Sequence, residues 1–425
     1  SSSNKRPCLE GRAESLQLAA SEDRPFRCAA HGRPLTWAKM PMDENVFKER
    51  ASVMFGRPSS RSIMKKTQGG ASSGSFCSCF DGFVASMMGF PTTNNIEVTS
   101  YAEPKPLAPI TKCVQWGDLG SERRGGVKHV EVGTGAKECS AGWVNQDATA
   151  ACAAQQKKAG GDAAGGPTGD GALFFCVFDG HGKSGHDVAS ICAERLPAHL
   201  AAHPGGPLSN PKKALEDAFK KTDDDIYRFM GPRVEYSGST GVAVVMDPVK
   251  RILYVGNVGD SRCVLGQYSP DAKCPTWSAV ALTEDLKPDI PQEQERIELS
   301  GGTVMALEGE DGRDVGPARV WESAAREKPG LAVSRSLGDG ASRCLGVIAD
   351  PVVTQHQLQA TDRFILIATD GLWDSLGNDQ AVRVTAQYLD RNLPHVAIKA
   401  LMETVRREEG GQLVDDTTMV LVQFG

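Results

Sequence analysis

The chain has no run of the roughly twenty consecutive apolar residues that a membrane-spanning helix needs. Its best candidate, Phe76 to Phe90, is short and interrupted by Asp81, Gly82 and Gly89, so no membrane span is expected. Positive charge is not in excess either. Against 53 Asp and Glu stand 47 Lys and Arg, a formal net charge of -6, and the cations are scattered rather than striped. That removes the electrostatic footprint of a nucleic-acid binder. Paired-cysteine motifs are missing as well. The twelve cysteines run from Cys8 to Cys344 with only Cys77 and Cys79 close together, which leaves no CxxC zinc pair and no compact disulfide framework. A reducing compartment, cytoplasm or nucleus, is therefore expected. No internal repeat is visible, which excludes a solenoid. With 40% hydrophobic and 24% charged residues over 425 positions, what remains is a soluble globular composition, long enough for one large domain and an extension.

From Ser1 to about Ile110 the chain is rich in Ser, Gly, Pro and Arg, with short apolar bursts and breakers such as Gly69, Gly70 and Pro104. Residues 1–110 thus read as an N-terminal extension, partly disordered, with one or two short helices. Cys77 and Cys79, beside Phe76, Phe80 and Phe83, allow two readings, an acylated anchor or a small apolar patch packed on the domain; the patch is preferred.

From about residue 111 the texture changes. Val127 to Val132, Leu173 to Phe178, Thr240 to Met246, Ile252 to Val258, Phe364 to Ala368 and Met419 to Phe424 are β-branched or apolar runs closed by turns, and they predict strands. His186 to His199, Pro211 to Phe229, Gln292 to Ser300, Asn378 to Asn392 and Pro394 to Glu408 have the amphipathic spacing of helices. Strands cluster and helices come in blocks, so the expected class is α+β, two packed antiparallel β-sheets flanked by helices. The Ala/Gly-rich insert 148–171 has no core-forming side chains and reads as a mobile loop. The stretch 285–328 reads as a helix followed by a polar, Gly-containing loop.

The informative pattern is that apolar strands run repeatedly into acids. Leu173 to Phe178 delivers Asp179, Gly180, His181 and Gly182. Ile252 to Gly259 delivers Asp260, Ser261 and Arg262. Phe364 to Thr369 delivers Asp370 through Asp374, and Asp415 and Asp416 immediately precede Thr417 to Phe424. One such acid is an ordinary turn residue; four strand ends of this kind are a pattern. If they converge, the carboxylates repel one another in a partly dry site unless protons or cations neutralise them. Oxygen donors without cysteine or multi-histidine spacing suit Mg²⁺ or Mn²⁺ rather than Zn²⁺. Such ions point to phosphate chemistry.

Seven segments, in order, resemble the magnesium- or manganese-dependent type 2C serine/threonine protein phosphatases, the PPM family. They are Asn145, Gln146, Asp147; FDGHG at Phe178 to Gly182; GSTG at Gly238 to Gly241; GNVGDSR at Gly256 to Arg262; LAVSRSLGD at Leu331 to Asp339; ATDGLWD at Ala368 to Asp374; and DDTTMVLV at Asp415 to Val422. The resemblance implies a catalytic domain over 111–425 with an αββα four-layer sandwich, and hydrolysis of phosphoserine and phosphothreonine in phosphoproteins by hydroxide activated at a pair of metal ions, Mg²⁺ or Mn²⁺. It further implies that Asp179 bridges both ions, that Asp370 and Asp415 hold the first, and that the Gly180 carbonyl and Gln146 serve the second. Asp147 would support the metal waters, His181 would act as general acid, and Asp260 and Asp374 would hold a weaker third ion. Asp416 is expected to support the ligands rather than join them. The region 285–328 would be a flap beside the active site, and the enzyme a monomer.

Two residues depart from the family pattern. Gln146 stands where Glu is usual, which removes one negative charge from the second metal position. Gly142 stands where many members carry an Arg that clamps the substrate phosphate, leaving Lys137, Arg123, Arg124 and Lys183 as substitutes with an ordinary surface role as the rival reading. These departures motivate an alternative, a pseudophosphatase acting as a regulatory binding protein. A metal-dependent nuclease or phosphodiesterase shares the carboxylate chemistry but lacks the basic surface and the motif order.

Overall fold

The computed structural model describes residues 114–115, 117, 126–154, 171–270 and 276–425. The proposed extension, the Cys77 and Cys79 pair, Arg123 and Arg124 lie outside the described residues.

Two antiparallel sheets form the centre. Edge to edge, the first contains Val114–Gln115, Ala148–Ala153, Leu173–Phe178, Gly241–Asp247, Ile252–Val258 and Val352–Gln357. The second contains Thr276–Ala281, Arg262–Ser269, Asp362–Ala368, Thr417–Phe424 and Val127–Gly135. Alternation along the strands makes the layers. Leu173, Phe175 and Val177 face the second sheet, where they meet Ile365, Ile367, Val420 and Val422. Phe174, Cys176 and Phe178 face outward into a cluster with Val188, Cys192 and Leu196 of the helix Gly185–Ala201 and Leu215 and Phe219 of the helix Pro211–Met230. On the far side, Phe364, Leu366 and Leu421 pack against the helices Asn378–Leu389 and Pro394–Glu408. The order helix, sheet, sheet, helix is the expected α+β architecture. It also explains why Leu173–Phe178 reads LFFCVF without a polar residue: the strand is covered on both faces. Each such side chain contributes roughly 1.5–3 kcal/mol on burial. Among the described residues, no helix is long and apolar enough to cross a membrane.

Three expectations need correction. The insert 148–171 does not begin as a loop, because Ala148–Ala153 is a strand paired on both sides, with Leu173–Phe178 and with Val114–Gln115. Its small side chains let the helix Gly185–Ala201 pack close, with Ala150 and Cys152 buried in the same cluster; pairing overrides the weak β preference of alanine. Residues 155–170 lie outside the described residues. The flap region is also not simply a loop. After the helix Pro291–Leu299 it forms the hairpin Thr303–Glu308 with Asp314–Trp321, extended by Pro329–Leu331 into a three-stranded sheet with a small core of its own, Ile297, Val320, Leu345 and Val347. Finally, Arg262–Ser269, Thr276–Ala281 and Val352–Gln357 are strands that the periodicity did not mark.

Register brings the acids to one end. Ala148 pairs with Phe178, so Asp147 and Asp179 leave the first sheet together. At that same end Gly241 pairs with Val258. The turn through Gly259, Asp260 and Ser261 carries the chain into the second sheet, where Arg262 pairs with Ala368 and Ala368 with Met419. Asp370, Asp415 and Asp416 flank those rungs.

Candidate active site

One oxygen from each of Asp179, Asp260 and Asp370 lies within 4.8 Å of the others. These three, with Gly180, His181, Gln146 and Asp415, line a cleft of about 490 Å³ whose lining also includes Lys137 and Trp143 and, from the flap, Arg319 and Pro329 to Val333. Asp260, expected together with Asp374 at a weaker third ion, thus also lies close to Asp179 and Asp370. Asp374 is exposed, one turn past Asp370, and its N–H donates to the Asp370 carbonyl at 2.8 Å. Asp260 is buried and ion-paired with Lys287.

The electrostatics follow from crowding. Burial pushes the Asp179 carboxyl well above the ordinary carboxylate range, and the charges of Asp370, Asp147, Asp260 and Asp415 push it further. Asp370 is raised likewise, by burial first and then by Asp260, Asp415 and Asp374. Burial takes Asp147 up to about 7, with Asp416 and Asp415 adding to the effect. Its Oδ2 accepts from the Thr369 hydroxyl at 3.1 Å, whereas its Oδ1 is buried without a hydrogen-bond partner. Asp415 is more open at the rim; desolvation raises it while the Asp416 N–H and the Lys137 charge oppose. A cleft whose burial and mutual repulsion push its carboxyls upward, with a buried carboxylate oxygen left over, is a fit for hard divalent cations.

Gln146 and Asp416 brace this end. The Gln146 side chain, 9% exposed, donates through Nε2 to the Gly182 carbonyl at 2.8 Å. Asp416 accepts from the backbone N–H groups of Lys137 and Gln146, both at 2.8 Å, and from Trp143 Nε1 at 2.9 and 3.0 Å. That carboxylate staples the segment 137–146 beside the cleft. Gly180 must be glycine, since a Cβ there would lie 2.4 Å from the carbonyl oxygens of both Gln146 and Gly185.

His181 sits on a short strand, Gly180–Gly182, which pairs with Ser237–Ser239, which in turn pairs with Leu337–Gly338. This puts His181 Nε2 2.7 Å from Asp339 Oδ2. Burial alone would lower the imidazole, but the Asp339 charge and hydrogen bond outweigh it and hold the histidine above its ordinary value. Asp339 is 3% exposed and left-handed at φ 51°. Its N–H donates to the Ser237 carbonyl at 2.9 Å, and the preceding Gly338 is gripped by Asp223 at 2.8 Å and by the Tyr227 hydroxyl at 3.0 Å. Sequence reasoning gave Asp339 no role, although it closes the LAVSRSLGD segment.

Gly142 has φ 78°, a conformation in which any side chain is strained, so the loop is not built to present an arginine there. Of the expected substitutes, Lys137 lines the cleft, while Lys183 is exposed and outside its lining. Arg319, which the sequence reading did not consider, lines it too.

An antiparallel αββα sandwich whose acidic end gathers three carboxylates beside an Asp-held histidine defines a metal-dependent phosphatase. Comparison with known proteins agrees. Residues 146–409 match the family model described as Protein phosphatase 2C. The chain is 35% identical over 278 residues to Probable protein phosphatase 2C 48 of Oryza sativa subsp. japonica, covering 60% of this chain and 76% of that protein. With Probable protein phosphatase 2C 72 of Arabidopsis thaliana it shares 39% identity over 216 residues, 48% of this chain and 62% of that one. Among solved structures, serine-threonine phosphatase 2C from Toxoplasma gondii shares the fold, with a TM-score of 0.56 at 23% identity over 70% of this chain and 94% of that one. The chain belongs to the protein phosphatase 2C family, metal-dependent serine/threonine protein phosphatases that act on phosphoproteins. Nothing in the site favours the pseudophosphatase alternative.

Proposed function

We propose that Asp179, Asp370 and Asp415, with the Gly180 carbonyl, hold two divalent cations, Mg²⁺ or Mn²⁺, and that this site hydrolyses phosphoserine and phosphothreonine esters. The observation that carries the reading is the convergence of Asp179, Asp260 and Asp370 within 4.8 Å, in the same cleft as the His181–Asp339 pair. Bound there, the cations supply Lewis acidity to the phosphoryl oxygens and acidify water as the nucleophile. The protein's own groups do the rest. Asp147, with Oδ1 unsatisfied, orients that water and takes up its proton. His181 protonates the departing seryl or threonyl oxygen; Nε2 is engaged by Asp339, so Nδ1 delivers the proton. Gln146 holds the loop that carries Gly182. Asp260 and Asp374 would serve a weaker third cation; the Asp260 carboxylate is also ion-paired with Lys287.

The test is phosphate release from a phosphothreonine peptide by the purified protein, titrated with Mn²⁺ and Mg²⁺, beside an EDTA control and Asp179→Asn. Metal-dependent turnover that disappears in both controls is expected; turnover that survives either one rejects the assignment. Residues 111–425 act as the catalytic domain, in a monomer located in the cytoplasm or nucleus. Light scattering and a fluorescent fusion check the last two points.

A further inference from the structure

A phosphate monoester brings up to two negative charges into a cleft whose floor is already acidic. Cations on the floor neutralise the phosphoryl oxygens turned toward it, and the oxygens turned toward the mouth need positive side chains. Among the described residues, two Lys or Arg side chains line the cleft, Lys137 and Arg319. Several nearby cations are ion-paired: Lys287 with Asp260, Arg262 with Asp285, Arg296 and Arg335 with Glu293, and Arg343 with Asp223; Lys328 stacks on Tyr236, a cleft-lining residue, but does not itself line the cleft. Among the described residues, neither Lys137 nor Arg319 takes part in an ion pair.

Each is nevertheless held in place. The Lys137 ammonium stands over the Trp143 ring, 5.4 Å from its centroid, a contact that keeps the charge without neutralising it. Its backbone is anchored by the N–H bond to Asp416. Arg319 comes from the flap strand Asp314–Trp321. Its Nη1 donates to the Gly330 carbonyl at 2.8 Å and its Nε is shielded without a partner, so Nη2 is the donor left for a ligand.

We propose that Lys137 and Arg319, which both line the cleft, grip the substrate phosphate together, replacing the single bidentate guanidinium that the backbone at Gly142 does not accommodate. The inference rests on the phosphatase reading above.

The experiment uses the full chain loaded with Mn²⁺ and inorganic phosphate as the probe, a competitive inhibitor of peptide hydrolysis. Lys137→Met nearly keeps length and removes charge; Arg319→Gln removes the charge on the flap with a shorter side chain that also gives up the bond to the Gly330 carbonyl. Losing one charge-assisted hydrogen bond should raise the inhibition constant of phosphate and the KM for the phosphothreonine peptide about tenfold or more in each. The Mn²⁺ concentration for half-maximal activity should not rise in either variant, since losing a positive charge near Asp415 does not weaken cation binding, and Lys137→Arg should keep most of the wild-type affinity for phosphate. An unaltered inhibition constant in Lys137→Met, with wild-type turnover intact, overturns the proposal and leaves the phosphatase standing. A raised Mn²⁺ requirement without weaker phosphate binding overturns it too, by assigning Lys137 to the metal site. A folded, metal-loaded wild type that shows no turnover sinks the phosphatase reading instead.

Discussion

Replacing Asp339 by Asn separates the charge of the His181 pair from its shape. Asn is isosteric and tolerates the left-handed backbone at φ 51°, so the turn survives. What goes is the carboxylate that faces His181 Nε2 at 2.7 Å, a contact whose partners are 29% and 5% exposed. A charge-assisted hydrogen bond of this kind is worth roughly 1.5–3 kcal/mol, and its loss shifts the protonation equilibrium of the imidazole roughly ten- to hundredfold toward the neutral form. His181 is held above its ordinary value and acts in its protonated state, so activity falls as pH rises through the folded-state value. In Asp339→Asn that alkaline limb of the kcat profile should move to lower pH, so that activity loss is greatest on the alkaline side and small in acid. Stability has its own sign. The pair's contribution is fully present below the unfolded histidine value of 6.5 and is lost as pH rises through the folded value, so the Tm deficit of the variant should be largest in acid and shrink in alkali. Kinetics of the peptide reaction from pH 5.5 to 9, beside melting curves, decide it. An unshifted alkaline limb in a folded variant would refute the assignment and leave Asp339 as a turn residue.

Gln146→Glu should lower the Mn²⁺ concentration needed for activity. It also removes the donor to the Gly182 carbonyl, so the EDTA-treated protein should lose about 1–3 kcal/mol of stability; an unchanged metal requirement by titration would place the residue outside the metal site. Deleting the residues before about 105 should leave peptide hydrolysis intact, and an insoluble or inactive product would make the extension part of the domain.

How much of this was legible depended on where each residue's partners lie. Leu173–Phe178 and Ile252–Val258 announced themselves because burial on two faces demands an unbroken or nearly unbroken apolar run. Val352–Gln357, VVTQHQ, is a half-exposed edge strand, and the hairpin Thr303–Glu308 with Asp314–Trp321 lies outside the sandwich, so neither carries a strong period. Ala148–Ala153 is a strand only because both neighbours are. In the site, acids at strand ends were visible as a group, since the strands that deliver them are local features. Asp339 was not, because its meaning depends on His181, 158 residues away. Arg319 and the Lys287–Asp260 pair were hidden for the same reason: ion pairing is settled by tertiary placement, and one-dimensional spacing does not record it.

The flap's private core has a consequence for how this enzyme can change. Ile297, Val320, Leu345 and Val347 form a cluster apart from the three that hold the sandwich, and Leu307 and Val315 on the hairpin stand in solvent, 38% and 54% exposed. The free energy that maintains the acidic end is thus largely not the free energy that maintains the surface a protein substrate meets first. Substitutions at the exposed positions Leu307 and Val315 leave the packing of the acidic end untouched, so the hairpin surface and the hydrolytic end can vary separately everywhere except at Arg319, which belongs to both.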